Sequence, residues 1–174
     1  MIVAPEDRCM TLVSIPFRFR QRFPCPARAV YDWSTDYQPG DIELFGRTGR
    51  RRIERLDERT LLLTDTFLDA AGARVVKQKL VHLYPERLAW TSTHTKGPSL
   101  HSQFLYELFT EGEGACRLEF TGRQMVRLDA VDARKVRELS RELQREDGAI
   151  WKRLARAMAA DRKVAAAARP PRRR

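Results

Sequence analysis

The sequence predicts an α+β domain: a seven-stranded, curved antiparallel sheet wrapped around one long C-terminal helix, with two short helices after the first strand. Three observations carry this reading. Phe17-Arg18-Phe19-Arg20-Gln21-Arg22-Phe23 puts phenylalanines on one face and arginines on the other, the two-residue period of a strand with one buried and one wet face. Six further alternating segments follow, separated by short turns rich in Gly, Pro and Asp, as in an antiparallel meander. The chain then enters one long apolar stripe of Val136, Leu139, Leu143, Ile150, Leu154 and Met158, spaced as one face of a helix.

The elements follow in order. The first strand spans about Thr11–Phe23 and ends at Pro24 and Pro26. Pro26 suits a helix start, where no intrahelical N–H is lost. Ala27–Thr35 reads as a short helix carrying Val30, Tyr31 and Trp33, and Tyr37–Phe45 as a second short helical piece broken by Pro39-Gly40. Strands are then expected over Gly46–Glu54, Thr60–Leu68, Arg74–Tyr84, Leu88–Thr95, Leu100–Thr110 and Ala115–Val126, parted by turn residues such as Asp57-Glu58, Gly72, Pro85-Glu86, Gly97-Pro98 and Gly112-Glu113-Gly114. Asp129 or Asp132 can cap the last helix by accepting free N–H groups of its first turn. The helix stripe has a gap at Glu146-Asp147-Gly148. Either the helix passes over a cavity there, or the carboxylates are solvated; a helical Gly costs roughly 1 kcal/mol against Ala. Arg169-Pro170-Pro171 ends any helix.

Composition bounds the class. The 174 residues divide into an N-terminal extension over 1–10, one domain over 11–160 and a basic disordered tail over 161–174, with Met1 or Met10 as start. Hydrophobic content of 43% and charged content of 32% suit a soluble globular protein. No apolar run approaches the ~20 residues of a membrane span, and the N-terminus lacks the apolar core of a signal peptide. Cys9, Cys25 and Cys116 are odd in number and far apart, which argues against a disulfide framework or zinc site and for a reducing cytoplasm. His82, His94 and His101 lack metal-ligand spacing, so no metal and no cofactor is expected. The net charge is +10, and Asp161–Arg174 holds six Lys/Arg against one acid. That tail allows weak attraction to nucleic acid or anionic lipid, but no folded nucleic-acid motif accompanies it.

Local matches go further. "FRFRQRFPCPARAVYDW" (Phe17–Trp33), "LYPERLAWT" (Leu83–Thr91) and "EGEGACRLEF" (Glu111–Phe120) resemble the opening strand, the P-x-R-L-x-W hairpin and the Gly-rich turn of the START-like, polyketide cyclase/dehydratase-like superfamily (SRPBCC). The resemblance covers about Thr11–Met158. It implies a helix-grip fold. The superfamily includes lipid and sterol carriers, aromatase/cyclases, coenzyme Q-binding proteins and chaperone-cofactor-like modules, so one fold serves many functions.

An apolar wall with a few polar groups is the form of a small-molecule site. A three-residue Pro85-Glu86-Arg87 loop would pair Tyr84 with Leu88, His82 with Trp90 and Gln78 with His94. The concave face would then present Val76, Gln78, Leu80, His82, Leu88, Trp90, Ser92 and His94. Neighbouring strands would add Thr64, Thr66, Phe104, Tyr106, Leu118 and Phe120. The candidate ligand-binding residues are Thr64, Gln78, His82, Trp90, His94, Phe104, Tyr106 and Phe120, with Asp147 and Trp151 from the helix. A one-residue slip would send a whole strand's set outward. Arg51 and Arg55 read as part of a charge-blunted edge strand, although one phase can point inward to hold a ligand carboxylate in bidentate fashion. No catalytic motif such as a nucleophile elbow, P-loop or dinucleotide fingerprint is present. The expected function is binding, with transport as an extension, of a hydrophobic small molecule such as a lipid, isoprenoid or polyketide. The alternatives are a cyclase or dehydratase using His82, His94 or Tyr106 as acid/base groups, and an interaction module using the basic tail.

Overall fold

The computed structural model describes residues 10–167. Seven strands, β1 (Thr11–Phe23), β2 (Gly49–Arg55), β3 (Thr60–Leu68), β4 (Arg74–Tyr84), β5 (Ala89–Lys96), β6 (Gln103–Thr110) and β7 (Cys116–Leu128), form one sheet in the order β1-β7-β6-β5-β4-β3-β2. Every pairing is antiparallel. β1 and β2 lie at opposite edges, so α1 (Ala27–Thr35) and α2 (Asp41–Leu44) carry the chain from one edge to the other. The last helix, α3 (Ala133–Ala167), lies on the concave face.

Side-chain period explains each layer. In β1, Ile15, Phe17 and Phe23 are buried while Arg18, Arg20 and Arg22 are not. β1 pairs with β7 along its whole length, from Thr11 opposite Leu128 to Phe23 opposite Cys116. Phe19 stacks on Phe120 with ring centroids 4.5 Å apart. Gly122, opposite Phe17, leaves room for this cluster: a Cβ there would sit 2.7 Å from the Phe120 ring. α1 buries Ala27, Val30 and Tyr31. Asp132 caps α3, its carboxylate accepting the Arg134 N–H at 3.0 Å. Trp151, Leu154, Ala155 and Met158 then bury the second half of the helix against the core.

The β4–β5 hairpin departs from the sequence expectation. Tyr84 pairs with Ala89, Leu83 with Trp90 and His82 with Thr91, so the loop is four residues, Pro85–Leu88. Leu88 takes a left-handed φ of 50° and closes the turn instead of pairing with Tyr84. The one-residue shift turns β4 over. Lys77, Lys79, Val81 and Leu83 face inward, while Val76, Gln78, Leu80 and His82 face outward. The partner positions on β3 follow, with Leu63 and Asp65 inside and Thr64 and Thr66 outside. At its far end the pairing jumps from Lys79–His94 to Gln78–Lys96, which leaves Thr95 as a bulge.

The other boundaries move by a few residues: β2 begins at Gly49 and β6 at Gln103. Helix α3 runs through Ala167, past the start of the segment assigned by composition to the tail. Residues 1–9, which make up most of the expected N-terminal extension, and 168–174 of the tail lie outside the described residues. Among the described residues no helix is long and apolar enough to cross a membrane.

Candidate functional site: a two-chambered cavity between sheet and helix

The concave face and α3 do not close completely. Two adjoining chambers remain, of about 240 Å³ and about 180 Å³. Phe45, Arg51, Lys79, Tyr106 and Trp151 line both and form the wall between them. All three tryptophans of the chain, Trp33, Trp90 and Trp151, line the first chamber. Their positions follow from local pattern. Trp90 sits on β5 opposite Tyr106 of β6, and the two rings stack at 4.8 Å and 6°. Trp151 descends from α3 to within 5.5 Å of Tyr106 and 6.0 Å of Trp90. Trp33 and Tyr37 come from α1 and the segment after it, where Trp33 Nε1 donates to Asp161 of α3 at 3.2 Å. This is an aromatic slot framed by a small number of polar groups.

The second chamber has a different chemistry. Arg47, Arg51, Lys77, Lys79, His94, Asp65 and Asp147 reach it alongside Phe67, Phe104 and Leu143. Arg51, with its side chain 2% exposed, donates through Nε and Nη2 to the two Asp65 oxygens at 2.7 and 2.9 Å, and through Nη1 to Asp41 at 3.4 Å. Burial opposes ionisation of Asp65. The Arg51 hydrogen bonds and the nearby Lys79 and Lys77 outweigh it and hold this carboxyl below its ordinary range. Lys79 makes no ion pair among the described residues. Burial, reinforced by repulsion from Arg51, lowers it to about 8. Burial and then Arg47 lower Lys77 as well.

His94 lies directly across from Lys79. Burial and then the two lysines push it down to about 3, so the ring is neutral, and its buried Nδ1 has no hydrogen-bond partner. From the opposite side α3 presents Asp147, which burial and then Glu146 raise to about 6. The polar break in the helix stripe therefore faces the cavity. Gly148 beside it does not line either chamber. Burial also raises Tyr106 and Tyr37, which keeps both phenols protonated.

Six of the sequence-derived candidates meet here: Trp90, His94, Phe104, Tyr106, Asp147 and Trp151. Phe120 instead packs in the cluster of Phe17, Phe19 and Phe104 beside the cavity. Thr64, Gln78 and His82 lie on the outer face, a correction that follows from the β4 shift. Gln78 Nε2 donates there to Thr64 Oγ1 at 3.3 Å, and the Thr60 hydroxyl meets His82 Nδ1 at 3.3 Å. Arg51 is the inward phase of its strand, not part of the charged edge. Sequence reasoning missed Lys77, Lys79 and Asp65, because the assumed three-residue β4–β5 loop put the opposite phase of β4, and of β3 beside it, on the concave face. Among the described residues no three His, Cys, Asp or Glu side chains are grouped to hold a metal ion.

Solved structures match this arrangement over most of the chain. One is Zhui aromatase/cyclase from Streptomyces sp. R1128, at 20% identity and TM-score 0.66 over 91% of this chain and 98% of that one. Another is Ara h 8.0201, at 12% identity and TM-score 0.62 over 86% and 99%. A third is a START superfamily protein from Mycobacterium smegmatis, at 12% identity and TM-score 0.59 over 84% and 95%. The fold is the helix-grip fold. At these identities the likeness concerns architecture, and the helix-grip frame accounts for the cavity without naming its content. No family model and no curated protein sequence matches the chain.

Proposed function

We propose that this helix-grip protein binds a hydrophobic small molecule, such as a lipid, isoprenoid or polyketide, between its sheet and α3. One observation carries the reading: every tryptophan of the chain lines one chamber of the cavity. Trp90 and Trp151 pack against Tyr106 and each other as core rings do, but that packing does not fill the space beside them. Here Trp33, Trp90 and Trp151 border open space. The driving force is burial of apolar ligand surface, about 25 cal/mol per Å² before ordering costs. Cys25 and Cys116 are buried free thiols, which suits a reducing compartment such as the cytoplasm.

Native mass spectrometry of protein purified from its own host tests this. The expected result is a noncovalent adduct of one small molecule per chain that organic solvent extracts. A ligand-free mass, with no uptake of lipids, isoprenoids or aromatic polyketides on incubation, would overturn it.

A second reading, an enzyme of the cyclase or dehydratase type, is favoured by one feature. His94 and Asp147 reach the second chamber from opposite walls, so titratable groups converge on one space. His82, on the outer face, drops out of that role. Under this reading His94→Asn and Asp147→Asn keep binding but lose turnover of a polyketide substrate.

A further inference from the structure

The two chambers differ in charge in a way that apolar binding alone leaves unexplained. The Arg51–Asp65 pair is internally neutralised by its two hydrogen bonds. What remains around the second chamber is three cations, Arg47, Lys77 and Lys79, against one free carboxylate, Asp147. None of the three cations has an ion-pair partner within 4 Å among the described residues. Arg47 instead lies 4.1 Å over the Phe67 ring, and Lys77 lies 5.8 Å from the same ring. His94 adds a buried ring nitrogen with no partner. Buried polar groups without partners are rare, because each carries a desolvation cost. Here a lysine and a histidine stand directly across a strand pair, with a second lysine two residues along the same face. Cross-strand neighbours on one face lie within about 5.5 Å at Cβ, so all three can reach one small group.

We infer that the ligand is an amphiphilic anion: its aromatic or polyunsaturated body lies in the tryptophan-lined chamber and its carboxylate meets Lys79, Lys77 and His94 in the second. Lys79 lines both chambers and so stands at the junction of body and head. The carboxylate supplies the acceptor that both ammonium groups lack, and His94 can donate from Nδ1. This rests on the binding reading above and narrows its ligand class.

The titratable and charged groups that share the chambers with Lys79 include Arg51 of β2, Asp65 of β3, Lys77 of β4, His94 of β5, Tyr106 of β6, Asp147 of α3, Asp41 of α2, Tyr37 before α2 and Arg47 before β2. His94 at about 3 and Asp147 at about 6 titrate mainly below pH 7, and Tyr106 and Tyr37 are raised out of range. Between pH 7 and pH 10 the group of the cavity that loses its proton is therefore Lys79, with Lys77 shifted in the same direction.

The experiment displaces the neutral fluorophore N-phenyl-1-naphthylamine with 2-naphthoate or its uncharged isostere 2-naphthamide. It uses the full chain, Lys79→Met, and Lys152→Met as an exposed-lysine control on α3. Wild type at pH 7 should prefer the carboxylate by about tenfold, the scale of a buried charge contact. Lys79→Met should erase that preference while 2-naphthamide stays within about twofold, and Lys152→Met should change nothing. In wild type the preference should also fade from pH 7 to pH 10, where naphthoate remains ionised and Lys79 does not. Equal binding of both compounds, or a preference that survives both Lys79→Met and pH 10, overturns the inference and leaves apolar binding standing. If the fluorophore itself does not bind, the cavity reading fails and takes this inference with it.

Discussion

Replacing Lys79 by methionine should make the ligand-free protein more stable. Methionine keeps the length of the side chain and removes a charge that burial disfavours. The folded protein holds Lys79 at about 8 against an ordinary 10.5. At 1.36 kcal/mol per unit that gap corresponds to about 3 kcal/mol. The cavity is open to water, so an effective dielectric well above that of a dry interior reduces the gain to about 1–2 kcal/mol. The sign with pH follows from linkage. Between the folded and unfolded values the unfolded chain binds more protons, so wild-type stability from this group rises as pH climbs from about 8 to 10.5. The variant lacks this rise. Its advantage should be full at pH 7, shrink above pH 8 and vanish above pH 10.5. Urea titrations of both proteins at pH 7 and pH 10.5 measure it, and titrations common to both cancel in the difference. A variant less stable than wild type at pH 7, or a difference independent of pH, would show that Lys79 is paired or solvated and that the charged-chamber reasoning is wrong. A stabilising change that impairs binding is what a functional site produces.

Three further outcomes follow. Asp65→Asn should destabilise by about 3 kcal/mol at pH 7, since it strands the buried Arg51 guanidinium; because the Asp65 pKa is depressed on folding, that difference from wild type should narrow as pH falls below the ordinary 3.8, and a pH-independent gap in denaturant titrations contradicts it. Gly122→Ala should cost about 1–3 kcal/mol, because the new methyl group meets the Phe120 and Phe17 rings at under 3 Å; an unchanged thermal melt would show that the cluster gives way freely. Gly148→Ala should add about 0.5–1 kcal/mol, since its Cβ position is open and helical Gly is disfavoured; the same melt plus fluorophore binding checks that stability rises while affinity holds.

How far the sequence reaches is clearest along β3, β4 and β5. The bounds Thr60–Leu68 and Arg74–Tyr84 are legible because alternation stops at Asp69 and Pro85, residues with turn chemistry. The facing of β4 is not legible. Both of its phases mix apolar and polar residues, so only the hairpin loop decides, and that loop ends on Leu88 at positive φ, a conformation nothing in a leucine announces. One extra loop residue moved Gln78 and His82 outward and brought Lys77 and Lys79 in. β5 and β6 carry a clearer alternation, and Trp90, His94, Phe104 and Tyr106 line the cavity on the face it selects. On α3 the break in the apolar stripe marked Asp147 as the polar residue over the cavity, while Gly148 contributes nothing to the lining. Arg51 and Asp65 lie 14 residues apart in a basic and a mixed strand; only the register that places them opposite each other shows that they form one buried pair.

The most direct test of the central claim uses the tryptophans themselves. Because Trp33, Trp90 and Trp151 all line the first chamber, a bound N-phenyl-1-naphthylamine molecule must sit beside every tryptophan of the chain. Titration of the folded protein should quench tryptophan emission in a saturable, one-to-one manner, with matching sensitised emission from the probe. Quenching that never saturates, or probe binding without energy transfer from tryptophan, would place the ligand elsewhere and contradict a binding cavity between sheet and helix.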